Sequence, residues 1–174
     1  MAERRIEELI AKQEITEVIY AYCRAVDRLD LGLASTVWHS HGTATYEGAF
    51  DGMGAEFVAG MKKTHEERFV SHSHQVSNIL IELDGDRAAS ESYVTAALRT
   101  KPEEEHGERL VRGRYIDTWS RRNGRWAIDH RLFVFDMAEM RTIQPPYQTR
   151  ELARRGDDDA SYGVGFHPAH PASR

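Results

Sequence analysis

His72 and His74 stand two residues apart in the segment VSHSHQVSN. In an extended strand alternate residues share a face, which brings the two imidazoles to about 6.6 Å of each other. Three readings are open to such a pair. A His-x-His arrangement can hold a metal if further His or carboxylate ligands come from neighbouring strands. Either ring can serve as a general acid or base, because imidazole titrates nearest to neutral pH. Or both are ordinary polar residues at the start of a strand, with their ring nitrogens satisfied by neighbours. Asp27, in YCRAVDRLD, stands at the end of an apolar-striped segment. The simplest reading is a solvated carboxylate, yet the negative end of a helix dipole disfavours one, and local mismatches of this kind gather at functional sites. Tyr22 lies five positions earlier, a core aromatic whose hydroxyl needs a partner. Arg131 interrupts the apolar run RLFVF, either at an exposed edge or as a fixed cation aimed into a pocket.

The elements that must position these residues read in two blocks. Ile6, Leu9, Ile10, Ile15, Val18, Ile19, Tyr22 and Val26 recur at three- and four-residue steps, the stripe of an amphipathic helix ending near 27–30. A short helical piece with Leu33, Val37 and Trp38 is expected next, then a strand over GTATYEG, turn residues around Asp51 and Gly52, and a helix over 53–68 carrying Phe57, Val58 and Met61. Past Phe69 four β-rich stretches follow, at about 70–83, 87–100, 109–122 and 125–140. The last two meet at Asn123-Gly124, a dipeptide whose members both tolerate the positive φ of a type I′ turn. Strands this long need bends or bulges, so a curved sheet is expected. Helices first and a meander after them predict an α+β fold with a pocket between the two layers.

A chain of 174 residues suits one domain, and it can bury a core without disulfides or a structural metal. The net charge of −5 works against binding a phosphate backbone, so no nucleic-acid partner is expected. Cys23 is the sole cysteine, which excludes an intrachain disulfide and a thiolate cluster. The first fifteen residues lack the apolar core of a signal peptide, and no run is long enough to span a bilayer. No membrane association and a cytoplasmic location are the expectation. The stretch 143–174 holds four of the five prolines, the charge run RRGDDD and GVGFHPAHP. It is expected to lack regular structure, with Tyr162, Phe166 and Pro168 as apolar anchors for a lid or an intersubunit arm.

Taken in order, Tyr22 and Asp27 on a helix, then Trp38, His74 followed by Asn78 on a strand, the hairpin RRNGRW, and Arg131 five residues after Trp126 resemble the SnoaL-like branch of the NTF2-like superfamily. The resemblance covers roughly residues 5–140. The Y-x-x-x-x-D segment is similar to that of bile-acid 7α-dehydratases. The arrangement of Asp27, His74 and Arg131 resembles hexachlorocyclohexane dehydrochlorinases, and scytalone dehydratases and lignin-derived diarylpropane lyases belong to the same structural group. Tyr22 stands where the dehydrochlorinases carry lysine, a departure that favours the dehydratase-like pattern.

The resemblance implies a cone-shaped barrel over 1–142, a curved mixed sheet wrapped by the N-terminal helices. It implies a cofactor-independent lyase without a metal, acting on a hydroxylated hydrophobic steroid-like or aromatic molecule, lignin-derived ones included. In that reading Asp27 fixes the tautomer of His74, His74 removes a proton from carbon, Tyr22 donates to the departing group and Arg131 steadies negative charge. Trp38, Tyr46, Phe57, Phe69, His72, Tyr93, Tyr115 and Phe133 are the candidates for the substrate pocket. A homo-oligomer is implied, trimer before dimer. An isomerase or polyketide cyclase using the same proton abstraction, and a non-catalytic binding or assembly module, are the alternatives.

Overall fold

The computed structural model describes residues 2–101, 107–143, 154–156 and 158–164. Helix α1 (Ala2–Arg28) buries Ala11, Ile15, Val18, Ile19, Tyr22, Cys23, Ala25 and Val26, the expected stripe. Its first turns run past the sheet, and Ile6, Leu9 and Ile10 stay exposed. Helix α2 (Leu31–Thr36) begins at Asp30, whose side chain accepts from the Leu33 amide as an N-cap. Strands β1 (Trp38–Tyr46) and β2 (Phe50–Met53) form a hairpin that leads into α3 (Gly54–Arg68). The remaining strands are β3 (Phe69–Asp84), β4 (Arg87–Thr100), β5 (Gly107–Arg122) and β6 (Arg125–Thr142). A short helix, α4 (Ala160–Gly163), belongs to the C-terminal stretch.

The six strands make one sheet in the order β2-β1-β6-β5-β4-β3. Only β1 and β6 run parallel; the other pairs are antiparallel, so the sheet is mixed. It is unclosed, because β2 and β3 remain edges. The long strands bend where bulges were expected. Register shifts fall between Ser77 and Leu80, where Asn78 takes φ 49°, and at Arg112/Gly113 and Thr118/Trp119. At the β5–β6 turn Asn123 and Gly124 both have positive φ, as a type I′ hairpin requires.

Two local expectations are corrected. Trp38 opens β1 rather than closing a helix, because its backbone joins the sheet opposite Ile128 and its ring is buried beside Tyr22. Asp51 and Gly52 lie in β2, paired with Thr45 and Ala44, rather than in a turn; the turn itself comes earlier, at Gly48. Such a four-residue strand is stabilised by its pairing more than by its own residue preferences.

The layers meet in one main core. Ile15, Ile19, Tyr22 and Val26 of α1 pack with Trp38, Ala44, Val94, Tyr115, Trp119, Trp126 and Ile128 of the sheet. This packing sets the last turn of α1 against the start of β3, which positions the candidate site.

Candidate active site

Asp27 sits one residue before the end of α1, and His74 is the sixth residue of β3. The Asp27 carboxylate accepts three times from one residue. His74 Nδ1 lies 2.6 Å from Oδ1, and the His74 backbone amide lies 3.1 Å from Oδ1 and 3.0 Å from Oδ2. A carboxylate can only accept, so Nδ1 carries the proton and Nε2 keeps its lone pair. Nε2 has no partner among the described residues. The two side chains are 9% and 14% exposed, nearly withdrawn from water while still reachable. That the same carboxylate also grips the backbone explains how the imidazole is aimed: helix end and strand start are locked together.

His72 shares the inward side of β3 with His74 and is buried. Its ring packs against His65 of α3, with centroids 4.4 Å apart, and against Phe69 at 5.8 Å. Burial pushes the His72 pKa down to about 3, helped by the charges of His65, Arg155 and His74. His65 is lowered to about 4 for the same leading reason. Both are neutral imidazoles at pH 7.

A second cluster lies deeper between the layers. The Tyr22 and Tyr46 hydroxyls are 3.0 Å apart, one donating to the other. Tyr46 stacks on Phe57 and Phe133 at 4.0 and 5.1 Å, and Tyr115 meets Tyr22 edge-on at 5.7 Å. Arg131 is wholly buried and bonded through two nitrogens to Asp117, with Nε and NH2 each 2.7 Å from a carboxylate oxygen. Its guanidinium lies 4.0 Å from the Tyr115 ring centroid and 4.3 Å from that of Tyr22. Burial raises the pKa of Tyr22 while Arg131 opposes that rise, so the phenol keeps its proton. Cys23 is also buried, with its thiol pushed up to about 12, which makes it a poor nucleophile.

The structure therefore divides the expected site. Asp27, His74 and His72 come together at one level. Tyr22, Tyr46, Phe57, Trp38, Tyr115, Phe133 and Arg131 come together at another. His74 pairs with Ala96, four residues along β4 from Ser92, the partner of Tyr115, a separation of about 13 Å in extended chain. Tyr93 departs altogether. It alternates with buried Ser92 and Val94, so it points from the opposite face and is 43% exposed. Phe69 packs mainly in a small separate cluster with Ala96 and Leu98. Arg131 is a correction too, since Asp117 already neutralises the cation expected to meet substrate charge.

Asp117 itself escaped the sequence reading, although a signal was there: YIDTW and RLFVF each carry one charge within an apolar run on adjacent strands. Among the described residues no group of three or more His, Cys, Asp or Glu side chains could hold a metal ion. No helix among them is long and apolar enough to cross a membrane. A cleft of about 690 Å³ lies elsewhere, between Arg68, Phe69, Thr100, Arg109 and the distal part of β6. Volume does not mark the chemistry here; the convergent polar groups do.

Comparison with known proteins adds the family. The pattern of the SnoaL-like domain matches residues 7–132. No curated protein matches the sequence. Among solved structures, a type 3 hexachlorocyclohexane dehydrochlorinase from Novosphingobium barchaimii superposes with a TM-score of 0.72 at 17% identity, over 82% of this chain and 99% of that one. A candidate scytalone dehydratase from Novosphingobium aromaticivorans gives 0.70 at 20% identity, over 87% and 100%. A Mycobacterium tuberculosis protein of unknown function, carrying an aspartate-to-asparagine substitution, gives 0.63 at 22% identity, over 94% and 96%. At these identities the likeness is one of fold.

Proposed function

Since the chain belongs to the SnoaL-like domain family, we propose that it is a cofactor-independent lyase of the dehydratase type. The observation that carries this reading is the Asp27–His74 pair, with Nδ1 held at 2.6 Å and Nε2 without a partner among the described residues. Nε2 removes a proton from a carbon next to an activating group. The electron pair left on carbon forms a double bond as a hydroxyl departs. Asp27 stabilises the imidazolium that results, as the acid of a catalytic triad does, without taking the proton itself. General base help of this kind contributes about 10²–10⁴-fold, and pre-aligned dipoles supply the rest.

Tyr22 keeps its proton and, with Tyr46 beside it, is a donor to a substrate oxygen at the level away from the dyad. Arg131 acts on that donor rather than on the substrate: its charge over the Tyr22 ring makes the phenol more acidic than burial alone would leave it. Tyr46, Phe57, Tyr115 and Phe133, which pack on one another between the layers, are in this proposal the aromatic contacts for a hydroxylated aromatic or steroid-like substrate. The working form in this proposal is a cytoplasmic homo-oligomer, trimer before dimer.

The test is a mass-resolved screen of hydroxylated aromatic and steroid substrates with wild-type and His74→Ala protein. A product lighter by one water, formed only by the wild type, is expected. A product of unchanged mass would move the reading to an isomerase or cyclase. Turnover of no substrate would leave a binding module.

A further inference from the structure

Proton abstraction from carbon leaves negative charge on the substrate, and Arg131 is already neutralised by Asp117. A different cation stands beside His72, two residues along β3 from His74. The described part of the C-terminal stretch lies across the end of α1 as a strap, anchored at Arg24, Arg28 and Asp30, on either side of Asp27 in sequence. The Gly156 amide donates to the Arg28 carbonyl at 3.0 Å. Arg28 faces Asp159 at 3.2 Å, and Asp159 also accepts from the amides of Arg154 and Ser161. Arg24 donates to the Ser161 hydroxyl and lies 5.0 Å over the Tyr162 ring, while the Tyr162 hydroxyl donates to Asp30 at 3.2 Å.

So held, the strap delivers Arg155 to the histidines. Its NH1 donates to the His65 carbonyl at 3.4 Å, and its NH2 lies 3.2 Å from His72 Nε2 and 3.4 Å from Nδ1. No carboxylate pairs with it among the described residues. Glu66 acts on it only at a distance and is itself paired with Lys62. The neighbouring rings of His65 and His72 bring no compensating charge, since an imidazole is either neutral or cationic. A half-buried guanidinium without a counter-ion is costly unless something anionic completes it. It stands next to His72, one strand step of about 6.6 Å from His74.

We propose that Arg155 is the recognition group for a carboxylate on the substrate, so that this protein acts on small aromatic acids, with the carboxylate at Arg155 and the acidic carbon at His74. The proposal rests on the dyad reading above. A carboxylate suits the guanidinium fork, where charge-assisted bonds form at about 2.7–2.9 Å. The strap then has a definite role: it completes the binding site from outside the sheet, and opening it releases product.

The experiment is a titration of the full-length protein with benzoate and with its neutral counterpart benzamide, read by ¹⁵N shifts of the histidine rings. Benzoate is expected to shift His72 and His74 and to bind at least about tenfold more tightly than benzamide. Arg155→Gln should erase that preference, and Arg155→Lys should keep part of it. Asp159→Ala, which loosens the strap without touching the guanidinium, should weaken the preference in the same direction. Equal binding of the two probes by the wild type, or an undiminished preference in folded Arg155→Gln protein, would overturn the proposal. If Arg155→Gln does not fold, an undiminished preference in Asp159→Ala protein overturns it instead. Failure of the dyad reading is separable: His74→Ala should keep the benzoate preference while losing turnover, and full turnover in that variant would sink the mechanism and leave the carboxylate site standing.

Discussion

At the scale of single residues, Asp27 and His74 behave as one unit because three hydrogen bonds join them. His74→Ala removes the base and should abolish turnover. Asp27→Asn keeps the size but offers only one acceptor oxygen, and its amide can hold the wrong tautomer, so kcat should fall by about 10²–10⁴. The double variant should be little worse than either single one, and additive losses in steady-state kinetics would refute the coupling. His65 and His72 govern acid stability instead. Their folded pKa values, about 4 and about 3, lie below the ordinary 6.5. The unfolded chain therefore binds more protons than the native one between those limits. The stability that these groups contribute is complete above pH 6.5 and is lost as pH falls toward 4. Thermal unfolding at pH 7 and pH 5 should show a lower Tm in acid, with a smaller drop in His72→Gln protein. A pH-independent Tm would mean that neither ring is held neutral.

At the scale of elements, β5 and β6 are tied by more than their ladder. Asp117 and Arg131 face each other in register, and both are fully buried. A pair like this is no strong source of net stability, but half of one is a liability. Asp117→Asn leaves the guanidinium with a weaker, neutral partner in the core and should cost about 3–5 kcal/mol in denaturant unfolding. Replacing the pair together, Asp117→Leu with Arg131→Met, should cost much less. If the single substitution proves neutral, the ion pair is not what orders this part of the interior. The bulges serve the same region. At Gly113 the absent side chain makes room for the Phe133 ring, which would otherwise lie 2.7 Å from a Cβ, and so lets Phe133 join the aromatic wall.

At the scale of the whole molecule, the described residues leave apolar surface that they do not cover themselves. Ile6, Leu9 and Ile10 on the first turns of α1 are 58%, 69% and 52% exposed, and Phe135, Met137 and Met140 on the distal part of β6 are similarly open. Self-association would bury them, at about 25 cal/mol per Å². Sedimentation at micromolar concentration should give a mass above 19.9 kDa, and Leu9→Ser with Ile10→Ser should shift it toward monomer. A monomer throughout would count against the homo-oligomer. The tail bears on this scale as well. Tyr162 lies within the strap, while Phe166 and Pro168, also expected as anchors, fall outside the described residues.

Patterns with a period are legible in the sequence because burial imposes them. The helical stripe from Ile15 to Val26 and the alternation of Ala88, Ser90, Ser92 and Val94 each follow from one face meeting the core. The turn at Asn123-Gly124 was legible because it needs positive φ, which few residues accept. The pairing of Asp27 with His74 was visible only as a resemblance, since 47 residues separate them and no local rule joins a helix end to a distant strand. Tertiary structure alone decided which face of β4 meets the core, and so turned Tyr93 outward. It also decided charge: Arg131, read as a cation at an exposed edge or aimed into a pocket, met Asp117 once the register of β5 and β6 was set, while Arg155 came to lie beside His72 with no carboxylate partner among the described residues. Electrostatic roles depend on what burial brings within a few ångströms, and sequence order does not encode that distance.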